Sequence, residues 1–255
     1  MIYIDNPITD PAYNLALEEH LVINGVDDVF MLWQNEPAVI IGRNQYTDNQ
    51  VDRAYAQEHH IAVHRRLSGG GAVYHDAGNL NFTIILREGA HRKNDFTFFT
   101  RPIVEVLRSY GINARFSGRN DLTVEGKKFS GNAQYNQGTT LLHHGTLLWD
   151  SDLTVLSQVL KPKQRVVARE VDSHSARVTN LASYAPEGLT LAQFKSDLLK
   201  QMSAAGFSAQ EQPSDSLLLV VSASLVEKYR SDIWNWGAGP SAEDVADSMA
   251  FPASC

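Results

Sequence analysis

Three adjacent glycines, Gly69, Gly70 and Gly71, lie between two segments of strand-like composition, Ile61 to Arg65 and Ala72 to Tyr74. Glycine has no Cβ and reaches backbone angles closed to other residues, so the chain must turn here or offer bare backbone to something that approaches closely. Bare N–H groups in a row can cradle a phosphate. The full run is Arg65-Arg66-Leu67-Ser68-Gly69-Gly70-Gly71-Ala72-Val73-Tyr74-His75-Asp76. A tight or bulged turn between strands is one reading, and a phosphate loop with Arg66 supplying charge is the other. The flanking arginines and the His75-Asp76 pair favour the second.

The segments around the loop set the fold class. Asp10 followed by Pro11, Tyr13, Leu17 and Leu21 predicts an N-capped helix that ends near Asn24-Gly25. Phe30 to Trp33 and Ala38 to Ile41 read as strands joined by the polar turn Gln34-Asn35-Glu36-Pro37, and Asp52 to His60 as a second helix. Asn81 to Leu86 is another strand. Phe99, Ile103, Val106 and Tyr110 form a helical stripe closed by Gly111, with Pro102 tolerable if it falls near the helix start. Short strands follow from Ala114 to Leu148, turning at Glu125-Gly126 and at Asn136-Gln137-Gly138. Asp152 to Leu160 and Thr190 to Met202 read as helices, separated by a basic and polar loop, Lys161 to Thr179, long enough to act as a lid. Strands and helices mixed without regular βαβ alternation predict an α+β domain with a mixed or antiparallel sheet and flanking helices.

Length and composition narrow the class further. A chain of 255 residues builds one large core, or one domain with a small appendage. At 43% hydrophobic and 20% charged it is an ordinary globular composition. The longest apolar stretch, Leu217 to Val221, is strand-sized, and Met1-Ile2-Tyr3-Ile4-Asp5 has no signal-like character, so a cytoplasmic protein that does not enter a membrane is expected. A net charge of −7 disfavours wholesale nucleic-acid binding. Cys255 is the sole cysteine, which leaves no intrachain disulfide and no interior thiol nucleophile.

Two further clusters carry chemistry. Gly118-Arg119-Asn120-Asp121-Leu122 and Lys128-Phe129-Ser130-Gly131-Asn132-Ala133 place a carboxylate and a lysine on neighbouring short strands. Asp121 can hold Mg²⁺ together with phosphate oxygens, and Lys128 can neutralise charge at a phosphoryl group. A turn aspartate and a solvated surface lysine are the alternative, and only coincidence with the glycine loop raises the pair above it. His143 and His144 are adjacent on a strand, point to opposite faces, and so do not converge on one metal ion.

Taken together, these motifs resemble the lipoate-protein ligase A family. The resemblance rests on R-R-L-S-G-G-G-A-V-Y-H-D-A-G-N-L-N-F at Arg65 to Phe82, G-R-N-D at Gly118 to Asp121 and K-F-S-G-N-A at Lys128 to Ala133. It also rests on H-H-G-T-L-L at His143 to Leu148 and R-V-T-N-L at Arg177 to Leu181, and it extends from Tyr13 to Gly237. It implies a biotin/lipoyl ligase-like catalytic domain, related to class II aminoacyl-tRNA synthetases. The implied reaction activates lipoate with ATP to lipoyl-AMP and passes the acyl group to a lysine of an acceptor. By the same resemblance Arg66, Gly71, Ala72, Val73 and Tyr74 contact ATP, Asp121 carries Mg²⁺, and Lys128 bridges the lipoate carboxylate and the α-phosphate. Lipoate contacts are implied at Leu17, Glu18, Trp33, Arg66, Ser68, Gly70, Gly71, His75, Lys128, His144 and Gly145. Leu17 reads equally well as core.

The implied acceptors are apo lipoyl-type domains, such as the E2 of a 2-oxoacid dehydrogenase or the H protein of glycine cleavage. The expected organisation is a catalytic domain over 1–225 and a tail over 226–255, the remnant of a linker to an accessory domain. That pattern leaves three alternatives open: a separate accessory polypeptide, adenylation without one, or a module unable to adenylate. Ser173-His174-Ser175-Ala176-Arg177 has fewer arginines than the ligase pattern, and Tyr46-Thr47-Asp48 lacks its Pro-Trp. Octanoyltransferases share the glycine motif but act through an internal cysteine, which the matched motifs here lack. A non-catalytic binder is the remaining alternative, and it has no need of a bridging lysine.

Overall fold

The computed structural model describes residues 1–118, 120–160, 178–207, 210–211 and 221–237. Its strands are β1 (Ile2–Asn6), β2 (Val29–Trp33), β3 (Ala38–Ile41), β4 (Ala62–Arg65), β5 (Val73–His75), β6 (Asn79–Leu86), β7 (Ala114–Ser117), β8 (Asp121–Val124), β9 (Lys127–Gln137), β10 (Thr140–Leu148) and β11 (Gln210–Glu211). Its helices are α1 (Pro11–Asn24), α2 (Arg53–Glu58), α3 (Phe96–Ser109), α4 (Leu153–Val159), α5 (Leu191–Ala204), α6 (Ala223–Arg230) and α7 (Asp232–Trp236). Eight strands form one sheet in the order β11-β1-β2-β6-β10-β9-β8-β7, and three form a second in the order β4-β3-β5. Both sheets are mixed: β1 runs parallel to β2 and β3 parallel to β4, while the pairs around β6, β10 and β9 are antiparallel. This is the α+β class expected.

Helix α1 organises the rest. Asp10 caps it by accepting from the N–H of Ala12 and Tyr13, and Pro11 occupies the first position, where its missing N–H costs nothing. Leu17, Leu21 and Val22 pack onto the large sheet with Ile4, Met31, Trp33 and Ile85. Ala12, Leu15 and Ala16 pack onto the small sheet with Ala38, Ile40, Val226 and Tyr229. A helix packed on two sides is buried nearly all round, so its polar residues need internal partners. Asn14 finds Asn6 and Asn35, Glu18 finds Thr83 and His144, and Glu19 finds Lys228 and Tyr229. The opposite face of the large sheet is covered by α3 and α5, through Phe99, Ile103, Leu107, Phe194, Leu198 and Met202.

Several expectations meet the structure differently. The two strands joined by Gln34–Pro37 are present as expected, but β2 enters the large sheet and β3 the small one, so this turn is where the chain changes sheets. Pro102 is the seventh residue of α3, not near its start, and its missing N–H removes the donor the Phe98 carbonyl would otherwise meet. Amphipathic packing of the rest of α3 outweighs that loss. Residues of α6 and α7 through Gly237 contact the body, Lys228 and Tyr229 at Glu19 and Gly237 at Arg65. The stretch 217–220 and most of the Lys161–Thr179 loop, residues 161–177, lie outside the described residues. Val178 and Thr179 are described, and the Thr179 N–H donates to the Lys128 carbonyl at 2.9 Å.

Arg65 joins the small sheet to the C-terminal helices. Its buried guanidinium donates to the carbonyls of Trp234 (2.7 Å), Gln45 (2.7 Å), Arg43 (2.9 Å) and Gly237 (3.1 Å). Asn235 Oδ1 accepts the Arg65 N–H at 2.9 Å, and the Trp234 indole donates back to the Arg65 carbonyl at 2.8 Å. Removing the side chain takes this donor away from four carbonyls, that of Gln45 in a buried bond and the other three in partly buried ones. Arg65→Ala is expected to cost about 3 kcal/mol or more in urea unfolding; a loss below about 1 kcal/mol would contradict this role.

Two core histidines add a pH dependence. His143 is fully buried and stacks on Phe99 at 4.5 Å, and His64 is buried with its Nδ1–H on the Tyr229 carbonyl. Burial lowers the pKa of both. The unfolded chain therefore takes up protons that the folded chain refuses, so stability is full above the ordinary histidine pKa and is lost as pH falls below it. The melting temperature is expected to drop between about pH 7.5 and about pH 5.5, above the carboxylate range. A flat profile there would contradict it.

Candidate functional site

The glycine loop is held from inside by a buried cation. Arg66, on the residue after β4, donates through Nε to Ser68 Oγ (3.0 Å), through one terminal nitrogen to the Ile40 carbonyl (2.9 Å), and through the other to the carbonyls of Gly69 (2.7 Å) and Gly71 (2.8 Å). Because a trans peptide sets its C=O and N–H in opposite directions, aiming those two carbonyls at Arg66 turns the N–H groups of Gly70 and Ala72 away from it. Gly70 has φ +92°, a conformation that glycine alone adopts without strain. Gly42 makes the facing contact: a Cβ there would lie 2.1 Å from the Gly70 carbonyl oxygen. Arg66 thus shapes the loop, and most of its donors are spent within it. Burial lowers its pKa to about 10, with the charge of Glu18 working in the opposite direction.

That counter-charge is relayed through hydrogen bonds. His144 places Nδ1 at 3.0 and 3.1 Å from the two Glu18 oxygens, and its Nε2 lies 2.6 Å from Ser68 Oγ. Since a carboxylate only accepts, Nδ1 carries the proton and the Ser68 hydroxyl donates to Nε2. Thr83 donates to Glu18 Oε1 at 2.5 Å, and the Trp33 indole donates to Thr83 at 2.9 Å. Every link therefore donates toward Glu18, from Arg66 through Ser68 and His144 on one side and from Trp33 through Thr83 on the other.

His75, from β5, stands beside this chain with its ring edge-on to Trp33 at 6.0 Å between centroids. Asn35 Nδ2 lies 3.0 Å from His75 Nδ1. The direction of that bond follows from upstream: Asn35 Oδ1 faces Asn14 Nδ2, whose two N–H groups are shared among it and the carbonyls of Ile8 and Gln34, and this leaves the Asn35 NH₂ to face His75. Burial, with the positive charge of Arg66 and the neighbouring His144, lowers the His75 pKa to about 3. The ring is neutral, with its proton on Nε2.

The ion pair lies at the other end of the sheet face. Lys128 Nζ is 2.8 Å from Asp121 Oδ1, both about one-third exposed, and an added Cβ on Gly131 would sit 3.0 Å from that ammonium. A bulge between Leu122 and Thr123 brings Lys128 onto the face of Asp121. Strand register runs from Trp33 to Asn81 to Thr146, the Gly131 N–H bonds Thr146 Oγ1, and Gly131 pairs with Asp121. From Trp33 to Gly131 is three inter-strand spacings, about 14 Å.

Of the residues expected at the site, Glu18, Trp33, Arg66, Ser68, His75 and His144 converge, with Gly70 and Gly71 on the loop. Lys128 and Asp121 stand at the far end of the same face. Leu17 packs into the core between α1 and the large sheet. Ala72 and Tyr74 point their side chains to the opposite side of the small sheet, against Val39 and Ile41, so only their backbone faces the loop. Gly145 is required by packing: a Cβ there would meet Asn132 Oδ1 at 2.4 Å and the Phe82 ring at 2.7 Å. Asp76 parts from His75 and accepts from Ser151 and from the N–H groups of Gly78 and Asp152. His143 and His144 take opposite faces. Among the described residues no three His, Cys, Asp or Glu side chains form a metal cluster. Thr83, Asn35 and Asn81 were not singled out from the sequence. The alternation Asn79-Leu80-Asn81-Phe82-Thr83, polar on the site face and apolar on the core face, is the signal that would have found two of them.

Comparison with known proteins agrees with this geometry. The family model for the lipoyl protein ligase A/B catalytic domain matches residues 10–203. The chain is 36% identical over 247 residues to lipoate-protein ligase LplJ of Bacillus subtilis, covering 94% of this chain and 75% of that protein. It is 37% identical over 239 residues to lipoate-protein ligase 1 of Staphylococcus aureus, covering 92% of this chain and 73% of that one. A solved structure from Thermoplasma acidophilum, described as a bi-partite lipoate protein ligase and its E2 lipoyl domain, superposes with a TM-score of 0.76 at 26% identity, covering 93% of this chain and 96% of that chain. Family model, relatives and fold converge: this chain belongs to the lipoyl protein ligase A/B catalytic domain family.

Proposed function

We propose that this chain is an ATP-dependent lipoate-protein ligase acting in the cytoplasm on a lysine of an apo lipoyl-type domain, such as an E2 or glycine-cleavage H protein. The observation that carries the reading is the polarity of the sheet face. A charged pair, Lys128 and Asp121, stands beside Gly131 at one end, and Gly131 lies three inter-strand spacings, about 14 Å, from Trp33, which sits with the buried Glu18, His75 and His144. An extended medium-chain carboxylic acid spans that distance with its carboxylate on Lys128 and its tail against Trp33.

In the first step a lipoate carboxylate oxygen attacks the α-phosphorus of ATP, and the bond to pyrophosphate breaks. Lys128 holds the carboxylate and the α-phosphate together and neutralises the charge gathered between them. The N–H groups turned outward at Gly70 and Ala72 receive phosphate oxygens, with Arg66 acting through its field and through the loop shape it imposes. Asp121, a single carboxylate about one-third exposed, suits Mg²⁺, which takes one or two carboxylates and completes its shell with phosphate and water. Bound there, the ion would neutralise phosphate charge. In the second step the acceptor lysine amine attacks the acyl carbonyl, AMP leaves, and the amine loses its proton. No cysteine lies in residues 10–203, so nothing in the matched region supports a thioester route.

The test is the intact mass of an apo lipoyl domain after incubation with this protein, lipoate, Mg²⁺ and ATP. A lipoyl mass gain that requires ATP is expected. A gain only when lipoyl-adenylate is supplied would assign adenylation to a separate polypeptide, and no gain in either case would overturn the reading. Lys128→Ala is expected to slow pyrophosphate release by about 100-fold or more. Its melting temperature should stay close to that of the parent, since a partly exposed ion pair adds little stability. Retained turnover would remove Lys128 from the chemistry.

A further inference from the structure

The buried cluster at the Trp33 end is almost fully satisfied with hydrogen bonds. Glu18, His144, Ser68, Thr83 and the Trp33 indole N–H all have partners within the relay. Among the described buried side-chain atoms only His75 Nε2 and Asn79 Oδ1 lack one. Asn79 pairs with Leu148 at the far end of β6. His75 is 3% exposed, its Nδ1 is occupied by Asn35, and its Nε2–H is a donor on the other edge of a ring that stands edge-on to Trp33.

A buried donor without a partner costs free energy, and a bound tail decides whether that cost remains. A plain alkyl tail packed against His75 gives the N–H no acceptor. A tail bearing divalent sulfur gives it one, weak but well placed, and sulfur also makes favourable contacts with aromatic rings such as Trp33. The substrate carboxylate does not serve, because the ligase reading places it on Lys128 beside Gly131, and Gly131 is three inter-strand spacings, about 14 Å, from Trp33. We propose that the His75 Nε2–H donates to a ring sulfur of the lipoyl tail and so selects lipoate over octanoate, the sulfur-free acid of the same chain length. This assignment rests on the ligase reading for the identity of the site, but it concerns binding of the free acid and needs no turnover.

The test is calorimetric titration of the full chain with lipoate and with octanoate, for the parent, His75→Phe and His75→Gln. Phe keeps a ring and removes the donor; Gln keeps an N–H. Circular dichroism melts confirm that both variants are folded. The parent should bind lipoate more tightly than octanoate, and His75→Phe should reduce that ratio by about fivefold or more, chiefly through weaker lipoate binding. His75→Gln should retain part of the preference. An unchanged ratio in His75→Phe, an equal loss for both acids, or no parental preference would each overturn the proposal. If the preference follows His75 as stated but no acceptor is lipoylated with ATP or with lipoyl-adenylate, the ligase reading fails while the sulfur contact stands.

Discussion

A positive charge buried under a glycine loop is the constraint on which the site depends. Arg66 is shut away from water, and a bare guanidinium in that position would be far too costly. Two arrangements make it tolerable. The carbonyls of Ile40, Gly69 and Gly71 receive its N–H groups, and Glu18 supplies the opposite charge through His144 and Ser68. The first fixes the shape of the loop. The second ties that loop to α1 and to the buried cluster around Trp33, so the two belong to one hydrogen-bonded unit.

The same economy explains α1. Its Asn14, Glu18 and Glu19 would be misplaced on a helix that packs against both sheets, were each not paired across the molecule. Asn14 passes its orientation through Asn35 to His75, and Glu18 orients His144. Glu19 holds Lys228 and Tyr229, which anchors α6 and with it the α7 segment that Arg65 grips. A helix that reads in sequence as a simple capped element is in three dimensions the spine from which the site's hydrogen bonds are oriented.

What was legible in the sequence was local. Asp10 and Pro11 marked the start of α1, and Glu125-Gly126 marked the turn that brings Asp121 and Lys128 together, because capping and turn chemistry act within a few residues. The glycine run announced close backbone approach, and the family resemblance named most residues that converge. What could not be read were partnerships across the fold. Arg65 stood in the sequence only as one of two arginines flanking the glycines, and nothing local showed that its donors go to carbonyls on the 42–47 loop and near residue 235. Gly145, named by the resemblance, is also held by packing across the fold, where an added Cβ would meet Asn132 and the Phe82 ring. Strands β2 and β3 looked like neighbours because only a polar turn separates them; the sheets they join are decided by pairings with β1, β4, β5 and β6.

The central claim is that Glu18 and the glycine loop are one electrostatic unit although Glu18 touches neither Arg66 nor Ser68 directly. A double-mutant cycle measures this. Unfolding free energies of the parent, Glu18→Gln, Ser68→Ala and the double variant should show a coupling of about 1 kcal/mol or more, because His144 passes the effect of each change to the other. Additivity within about 0.3 kcal/mol would contradict the account, leaving the loop and the tail pocket as independent structures that merely lie side by side.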